Sequence, residues 1–390
     1  MNLTEAAIEY SRKHPDVIPS EIAKRIGCSG RTARRAVQTA RDMEILLCSD
    51  DMVNEHMLDQ MVGFKKSTIP MKYRRVLANI VKHTEMALSR VPNINLKHSR
   101  TSKESANLLI SDFHTGKQVF DDVGNCLYNK DIVAFKFAAL KGKVIELLTE
   151  HLKIERIDQF NVLILGDIVD GSGIYPNQEL NQDLTWIIDQ IALAVAGIWD
   201  IVLAVRNIGL PVNIYGVPGN HGRQGKEAPL QNNFDYMVYQ QLYMLANFGK
   251  EKQVFATYSK GTPYLNLEIK GWRTHIRHIA PAQTETPAAR AKFGGWQGIH
   301  KWDIICYAHL HHPGAGTYLK KPTIMNGSPI GIDDFSEGLA KESRPSQALF
   351  GIAPGRVGKS FTYDVYLDDY GMGDEAKLLL MKYPMLCRVS

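Results

Sequence analysis

Phe160-Asn161-Val162-Leu163-Ile164-Leu165-Gly166-Asp167-Ile168-Val169-Asp170 joins a short apolar run to two carboxylates three residues apart. The run predicts a buried strand over residues 160–165, and Gly166 ends it. The same design occurs twice more. Residues 106–111 form an apolar run that leads into Asp112-Phe113-His114, and residues 211–217 lead into Gly219-Asn220-His221. Helical periodicity over 132–152 and 183–206 fills the gaps. Strands alternating with helices specify an α/β domain. Each polar motif then lies at the C-terminal tip of a strand, where open α/β sheets bind ligands.

Two further motifs follow in order: His278 near the end of a run over 273–279, and His309-Leu310-His311 after a run over 303–308. Taken singly, each piece has an ordinary reading as a turn or a polar strand edge. Taken together they supply carboxylates, imidazoles and one amide, the donors that Mn²⁺, Fe²⁺ or Zn²⁺ accept. Two such ions about 3.5–4 Å apart can bridge a phosphate and activate the water that attacks it. Beyond residue 252 the runs shorten, to 254–258, 264–269, 273–279, 303–308 and 323–325, with a hairpin turn at Lys270-Gly271. They predict a second sheet facing the first, completed by strands over 361–367 and 378–383.

The bulk properties set wider bounds. A chain of 390 residues accommodates a large catalytic domain and one or two small additions. At 44% hydrophobic and 22% charged residues, and without a repeat or low-complexity tract, it has the composition of a globular protein. Its formal charge of +5 is compatible with a nucleic-acid partner. The five cysteines form no C-x-x-C pair, as expected of free thiols in a reducing cytosol. The N-terminus carries no basic segment leading into an apolar core, and the apolar stretch 186–205 contains Asp189, Gln190 and Asp200. A cytoplasmic protein is expected, with that stretch a core helix and no membrane contact.

The five motifs, in this order, resemble those of the calcineurin-like metallophosphoesterases over roughly residues 106–331. The stretch Gly166–Gln178, and Pro218–Gln224 with Glu227 and Pro229, are similar to the small exonuclease subunit of archaeal D-family DNA polymerases. SbcD-type nucleases and phage metallophosphoesterases share the same skeleton. The resemblance implies a two-sheet α/β/β/α sandwich with metals on the loops at one edge. It implies that Asp112, His114 and His311 hold one metal, that Asn220, His278 and His309 hold the other, and that Asp167 bridges them. It leaves His221 to protonate the leaving oxygen and Asp170 to orient it. It also implies two divalent ions, Mn²⁺ foremost, with Fe²⁺, Zn²⁺ or Ni²⁺ as alternatives. The chain departs from the pattern at three places: Gly222 stands where Asp or Glu is usual, Ala308 where Gly is usual, and Ile279 where Gly follows the fourth-motif histidine. His275 competes with His278, but three residues away on a strand it faces the opposite side.

Residues 1–46 read as a helix-turn-helix. Ile22, Ala23 and Ile26 share a helix face, Gly27 permits a left-handed turn, and Ser29 caps a second helix with Ala33, Ala36, Val37 and Ala40 on one face. Arg31, Thr32, Arg34, Arg35 and Gln38 remain to meet DNA. Residues 47–104 form a basic connector, and residues 105–390 form the phosphoesterase domain. The expected activity is a phosphodiesterase using a metal-bridging hydroxide, most readily a DNA nuclease. A phosphomonoesterase such as a Ser/Thr protein phosphatase is an alternative, although Gly171 stands where such phosphatases place Arg. A DNA-binding replication or regulatory factor with a scaffolding phosphoesterase domain is another.

Overall fold

The computed structural model describes residues 10, 18–27, 29–34, 104–152, 154–175, 178–248, 253–281, 286–331, 343–355 and 358–368. The chain divides into two compact units, Met1–Met86 and Ala87–Ser390. In the first, α1 (Pro19–Ile26) begins with proline in its first turn and ends at Gly27, whose φ of 73° places it in the left-handed region. Ser29 Oγ accepts from the Thr32 amide at 3.1 Å, capping a helical turn over residues 30–34. Ile22 and Ala33 are buried, and Arg31 and Arg34 are exposed. The positions Arg35 and Gln38 lie outside the described residues, as does nearly all of the connector.

The second unit contains two sheets. β1 (Glu104–Ile110), β4 (Ile157–Ile164), β5 (Val212–Gly216) and β6 (Val254–Tyr258) run parallel and adjacent. On the far side of β1, β12 (Ser346–Ala353) and β13 (Gly358–Tyr366) add antiparallel, giving the order β13-β12-β1-β4-β5-β6. The second sheet is built from β7 (Tyr264–Ile269), β8 (Trp272–Ile279), β9 (Ile304–Ala308), β10 (Gly314–Tyr318) and β11 (Lys321–Met325), in the order β10-β11-β9-β8-β7. A small hairpin, β2 (Val119–Phe120) with β3 (Cys126–Tyr128), stands apart from both sheets.

Alternation along the strands sorts the side chains into layers. Ala106, Leu108 and Ile110 of β1, with Phe160, Val162 and Ile164 of β4, face α2 (Lys130–Glu146), α3 (Ile187–Asn207) and α4 (Asp235–Phe248). The opposite faces contribute Leu109, Leu163, Ile276, Ile304, Cys306 and Phe350 to a core between the sheets. The outer face of the second sheet is covered by α5 (Pro287–His300), where Phe293 packs with Trp302, Ile305 and Tyr307. The result is an α/β/β/α sandwich. α3 is long and apolar enough to cross a membrane, and most of it is buried in the first of these cores.

Two strand placements differ from the sequence reading, which puts β6 and β13 in the second sheet. Both join the first. The alternation of apolar residues fixes which face of a strand is buried, but it does not choose the neighbour. β12 is buried along its whole length, so its sequence has no polar alternation to mark it as a strand. The expected strand at 378–383 lies outside the described residues.

At the end of the inter-sheet core away from the motifs, three asparagines in register form a polar ladder. Asn161 Nδ2 donates to Asn107 Oδ1 at 2.7 Å, and Asn213 Nδ2 donates to Asn161 Oδ1 at 3.0 Å. Asn107 Nδ2 donates to the Phe350 carbonyl on β12 at 3.0 Å. The ladder fixes the relative register of β12, β1, β4 and β5. Asn161→Ala is expected to destabilise the protein by roughly 1–3 kcal/mol for each partner left buried and unpaired. Chemical denaturation would measure it, and a loss under about 0.5 kcal/mol, the low end for a single hydrogen bond, would argue against the ladder's role.

Candidate metal centre

Parallel pairing in both sheets sends the C-terminal strand ends to one rim. β1, β4 and β5 deliver Asp112, Asp167 and Asn220 from the first sheet; β8 and β9 deliver His278, His309 and His311 from the second. The pairing of β8 with β9 shifts register between Ile276 and Ile279. Such an irregularity re-aims a side chain, and His278 lies within it. Five candidate ligands have positive φ: Asp112 (55°), His114 (42°), Asp167 (51°), His309 (79°) and His311 (59°). A left-handed non-glycine residue costs about 1–3 kcal/mol and persists only where its surroundings enforce it.

The enforcement can be traced. Phe113, fully buried between two candidate ligands, stacks on Phe137 of α2 at 3.9 Å, and its carbonyl accepts from the Tyr128 hydroxyl at 2.6 Å. Ser111 Oγ donates to Asp112 Oδ2 at 2.5 Å and itself accepts from Asn326 Nδ2 at 2.8 Å. Gln347 of β12 accepts from Asn326 Nδ2 and from the Ser111 amide. At Gly166 and Gly219 the loops after β4 and β5 touch, and a Cβ on Gly166 would lie 2.3 Å from Gly219 N. Only glycine permits that approach.

Gly222 has a related explanation. A Cβ there would lie 2.4 Å from Asn233 Oδ1, because the turn entering α4 occupies the space. That turn brings in Asp235, which is wholly buried and which sequence reading missed. Its carboxylate accepts from the backbone amides of Asp167 (3.1 Å), Ile168 (3.1 Å) and Gly219 (2.8 Å), with Val169 at 3.4 Å. Burial, then the nearby Asp167 charge, raises its pKa to about 6. A distant acid thus serves the strand-end loops where Gly222 offers no side chain.

The candidate ligands fall into overlapping groups, with ligand atoms within 4.8 Å of one another. One is Asp112, His114 and His311; another is Asp167, His278 and His309; and His114 and Asp167 also meet His221. His278 Nδ1 lies 2.8 Å from the Leu165 carbonyl, so it carries the proton in the neutral ring. Its Nε2 then presents a lone pair to Asp167 Oδ2 at 2.9 Å and Asn220 Oδ1 at 3.0 Å. Three lone pairs converging in a buried space require a proton or a cation. Asn220 is held in the same sense, because its Nδ2 donates to the Tyr175 hydroxyl at 2.8 Å and leaves Oδ1 facing inward. Asp112 Oδ1 is buried with no hydrogen-bond partner. The donor set fits divalent cations, which neutral imidazoles and carboxylates bind together.

The electrostatics agree. Burial pushes His114 down to about 3, and burial with the neighbouring His278 pushes His309 down to about 4, so both imidazoles are neutral and ready to ligate. Burial also pulls His278 down, but Asp167 overrides it and raises it to about 9. His275 is not part of the site. It hydrogen-bonds Asn266 Oδ1 at 2.7 Å and stacks on Tyr264 and His300 on the outer face of the second sheet.

His221 and Asp170 stand beside the clusters. His221 Nδ1 lies 3.2 Å from Asp170 Oδ1, and the backbone amide of His221 donates to Asp167 Oδ1 at 2.7 Å. Asp170 Oδ1 is also 3.4 Å from His114 Nδ1, so one carboxylate faces two rings. Burial pushes Asp170 up, but His114 and His221 outweigh it and hold it well below the usual carboxylate range. For His221, burial pulls down while Asp167 and Asp170 push up, with a net rise. Gln182 Nε2 donates to Asp170 Oδ2 at 2.5 Å and fixes its orientation. Gln182 lies outside the motifs that the sequence singles out, because its role is to hold another side chain.

Comparison with protein-family models gives no match, and none of the curated proteins matches. Solved structures with similar chains include vacuolar protein sorting 29 from Cryptosporidium parvum, at 15% identity and a TM-score of 0.32, covering 67% of this chain and 97% of that one. A novel archaeal phosphodiesterase has 12% identity and a TM-score of 0.32, covering 66% and 99%. A predicted phosphoesterase from Streptococcus pneumoniae has 14% identity and a TM-score of 0.27, covering 67% and 98%. These scores are low, and the architecture rests on the sheets and layers described above.

Divalent-ion binding should release protons. Between pH 7 and 8 the metal-free His278 is protonated, since its pKa is raised to about 9, whereas the ligating form carries no proton on Nε2. Mn²⁺ titration by calorimetry in buffers of different ionisation enthalpy should give about one proton released, with affinity rising towards pH 9. Proton-neutral binding would remove His278 from the ligand set.

Proposed function

We propose that this chain is a dinuclear-metal-dependent phosphodiesterase that acts on DNA as a nuclease. The observation that carries the reading is Asp167: it groups with His278 and His309 on one side and with His114 on the other, and the His221–Asp170 pair lies directly alongside. Asp112, His114 and His311 would hold one ion and Asn220, His278 and His309 the other, with Asp167 between them. Two divalent ions there, Mn²⁺ foremost and Fe²⁺, Zn²⁺ or Ni²⁺ by the same donors, would grip the phosphate and make water acidic enough to attack it.

The chain's own residues supply the remaining steps. His221 is partly exposed, so a substrate can reach it. With Nδ1 turned to Asp170, its Nε2 is the atom that gives a proton to the leaving oxygen. Against the pull of burial, Asp167 and Asp170 favour the protonated ring. Arg223 Nε donates to the Asn220 carbonyl at 3.1 Å and brings positive charge to the same loop.

Two features favour a diester over a phosphoprotein. The Arg expected of a protein phosphatase would have to replace Gly171, where φ is 78° and a Cβ would lie 2.4 Å from the His221 carbonyl. The N-terminal segment carries exposed Arg31 and Arg34 on a capped helical turn, a pattern suited to DNA. A scaffolding role would not need five left-handed residues around a complete donor set.

Chelation with EDTA should abolish hydrolysis and Mn²⁺ should restore it, while Asp167→Asn should remain inactive in Mn²⁺. His221→Asn should lower kcat for an alkyl leaving group by about 10²–10⁴-fold, and much less for nitrophenyl, which departs without a proton. Equal losses on both substrates would assign His221 to binding.

The DNA arm is tested separately. Replacing Arg31, Arg34 and Arg35 with Ala should reduce the slope of log K against log salt by about 0.9 for each phosphate that is no longer neutralised. An unchanged slope would give the N-terminal unit a packing or partner-docking role.

A further inference from the structure

The exposed ring beside the candidate general acid belongs to Tyr175. It lies in the loop after Asp170 and is 39% exposed, with its ring centroid 4.7 Å from that of His221. Three ties fix it in place. Its hydroxyl accepts from Asn220 Nδ2, and its ring rests against His221 at a 43° tilt. Its loop is closed by Gln178, whose Oε1 accepts from the amides of Ile174 (3.0 Å) and Tyr175 (3.3 Å) while its Nε2 donates to the Asp170 carbonyl. Ile174, next to it in the chain, is buried. These ties restrict the rotamer freedom that so exposed an aromatic side chain ordinarily keeps.

We propose that Tyr175 forms the floor of a leaving-group subsite that stacks the nucleobase next to the scissile phosphate. The inference rests on the phosphodiesterase reading and names the substrate feature which that site selects. His221 protonates the departing oxygen, so whatever is bonded to that oxygen lies on the His221 side, where the Tyr175 ring is open. A flat ring held by these ties stacks on any base, because every base has a π-face. A small aliphatic alcohol, such as the serine of a phosphoprotein, gains little from it. Tyr175 thereby couples two tasks: its hydroxyl orients the Asn220 amide, and its ring recognises the leaving nucleoside.

The test uses the full-length protein in Mn²⁺ with thymidine dinucleotides, either intact or with one base removed from one side or the other. For wild type, removing the base on the leaving side should lower kcat/KM by roughly 5- to 150-fold, the scale of one stacked base, and removing the other base should have a smaller effect. Tyr175→Leu should lose this discrimination. Tyr175→Phe should retain it, with a uniform loss on all substrates because Asn220 is no longer anchored. Calorimetry with dinucleotides bridged by methylene at the leaving position, which cannot be cleaved, should give the same ranking of affinities. If wild type cleaves both abasic substrates as fast as the intact one, or if Tyr175→Leu still discriminates, the subsite is overturned. So it is if Tyr175→Phe loses discrimination as fully as Tyr175→Leu. A wild-type protein that hydrolyses nitrophenyl phosphomonoesters but no diester would overturn the phosphodiesterase reading, and the subsite with it.

Discussion

The geometry of the rim depends on one buried carboxylate. Asp235 gathers backbone amides from the loop after β4 and the loop after β5 onto its two oxygens. Those loops carry Asp167 and Asn220, and they approach closely enough that neither Gly166 nor Gly219 can bear a side chain. Without an acceptor the amides would be buried and unpaired, each costing about 1–3 kcal/mol. Asp235 belongs to α4, so the helix that covers the first sheet also sets the spacing of the candidate ligands. Packing and chemistry are therefore joined at one residue.

Charge imposes the second constraint. Asp112, Asp167, Asp170 and Asp235 are all buried around a small volume. Carboxylates at such density repel one another, and burial penalises each of them further. The histidines offset part of this, with His278 taking up the proton that the Asp167 charge demands. The left-handed residues at the strand ends store conformational energy in the same place. A site with both kinds of cost retains them where function requires that arrangement, and two cations would relieve the electrostatic part.

The outer layer around the ligands divides into arms with distinct tasks. Ser111, Asn326 and Gln347 hold Asp112 from the β12 side. Gln178 and Gln182 hold Asp170 and its loop, and Tyr175 holds Asn220. Amide side chains suit this work because they donate and accept at once without adding charge to a region already crowded with it. The asparagine ladder does the same at the opposite end of the sandwich, where it aligns four strands.

The order of the motifs and of the strands that carry them is legible in the amino-acid sequence, as is the position of each motif at a strand's C-terminal end. Both follow from local pattern: an apolar run closed by glycine or a polar pair reads the same in any context. The sequence also favoured His278 over His275, because the two-residue period of a strand sends them to opposite faces. That β6 and β13 join the first sheet emerges only in the folded chain, since a strand's pattern names its buried face and not its neighbour. Only the tertiary structure brought Asp235, distant in sequence from Asp112 and Asp167, beneath the ligand loops, and set Gln347 behind Ser111. Those residues act by holding other groups in place. Their identity is set by what lies across from them in space, and that information exists only once the chain has folded.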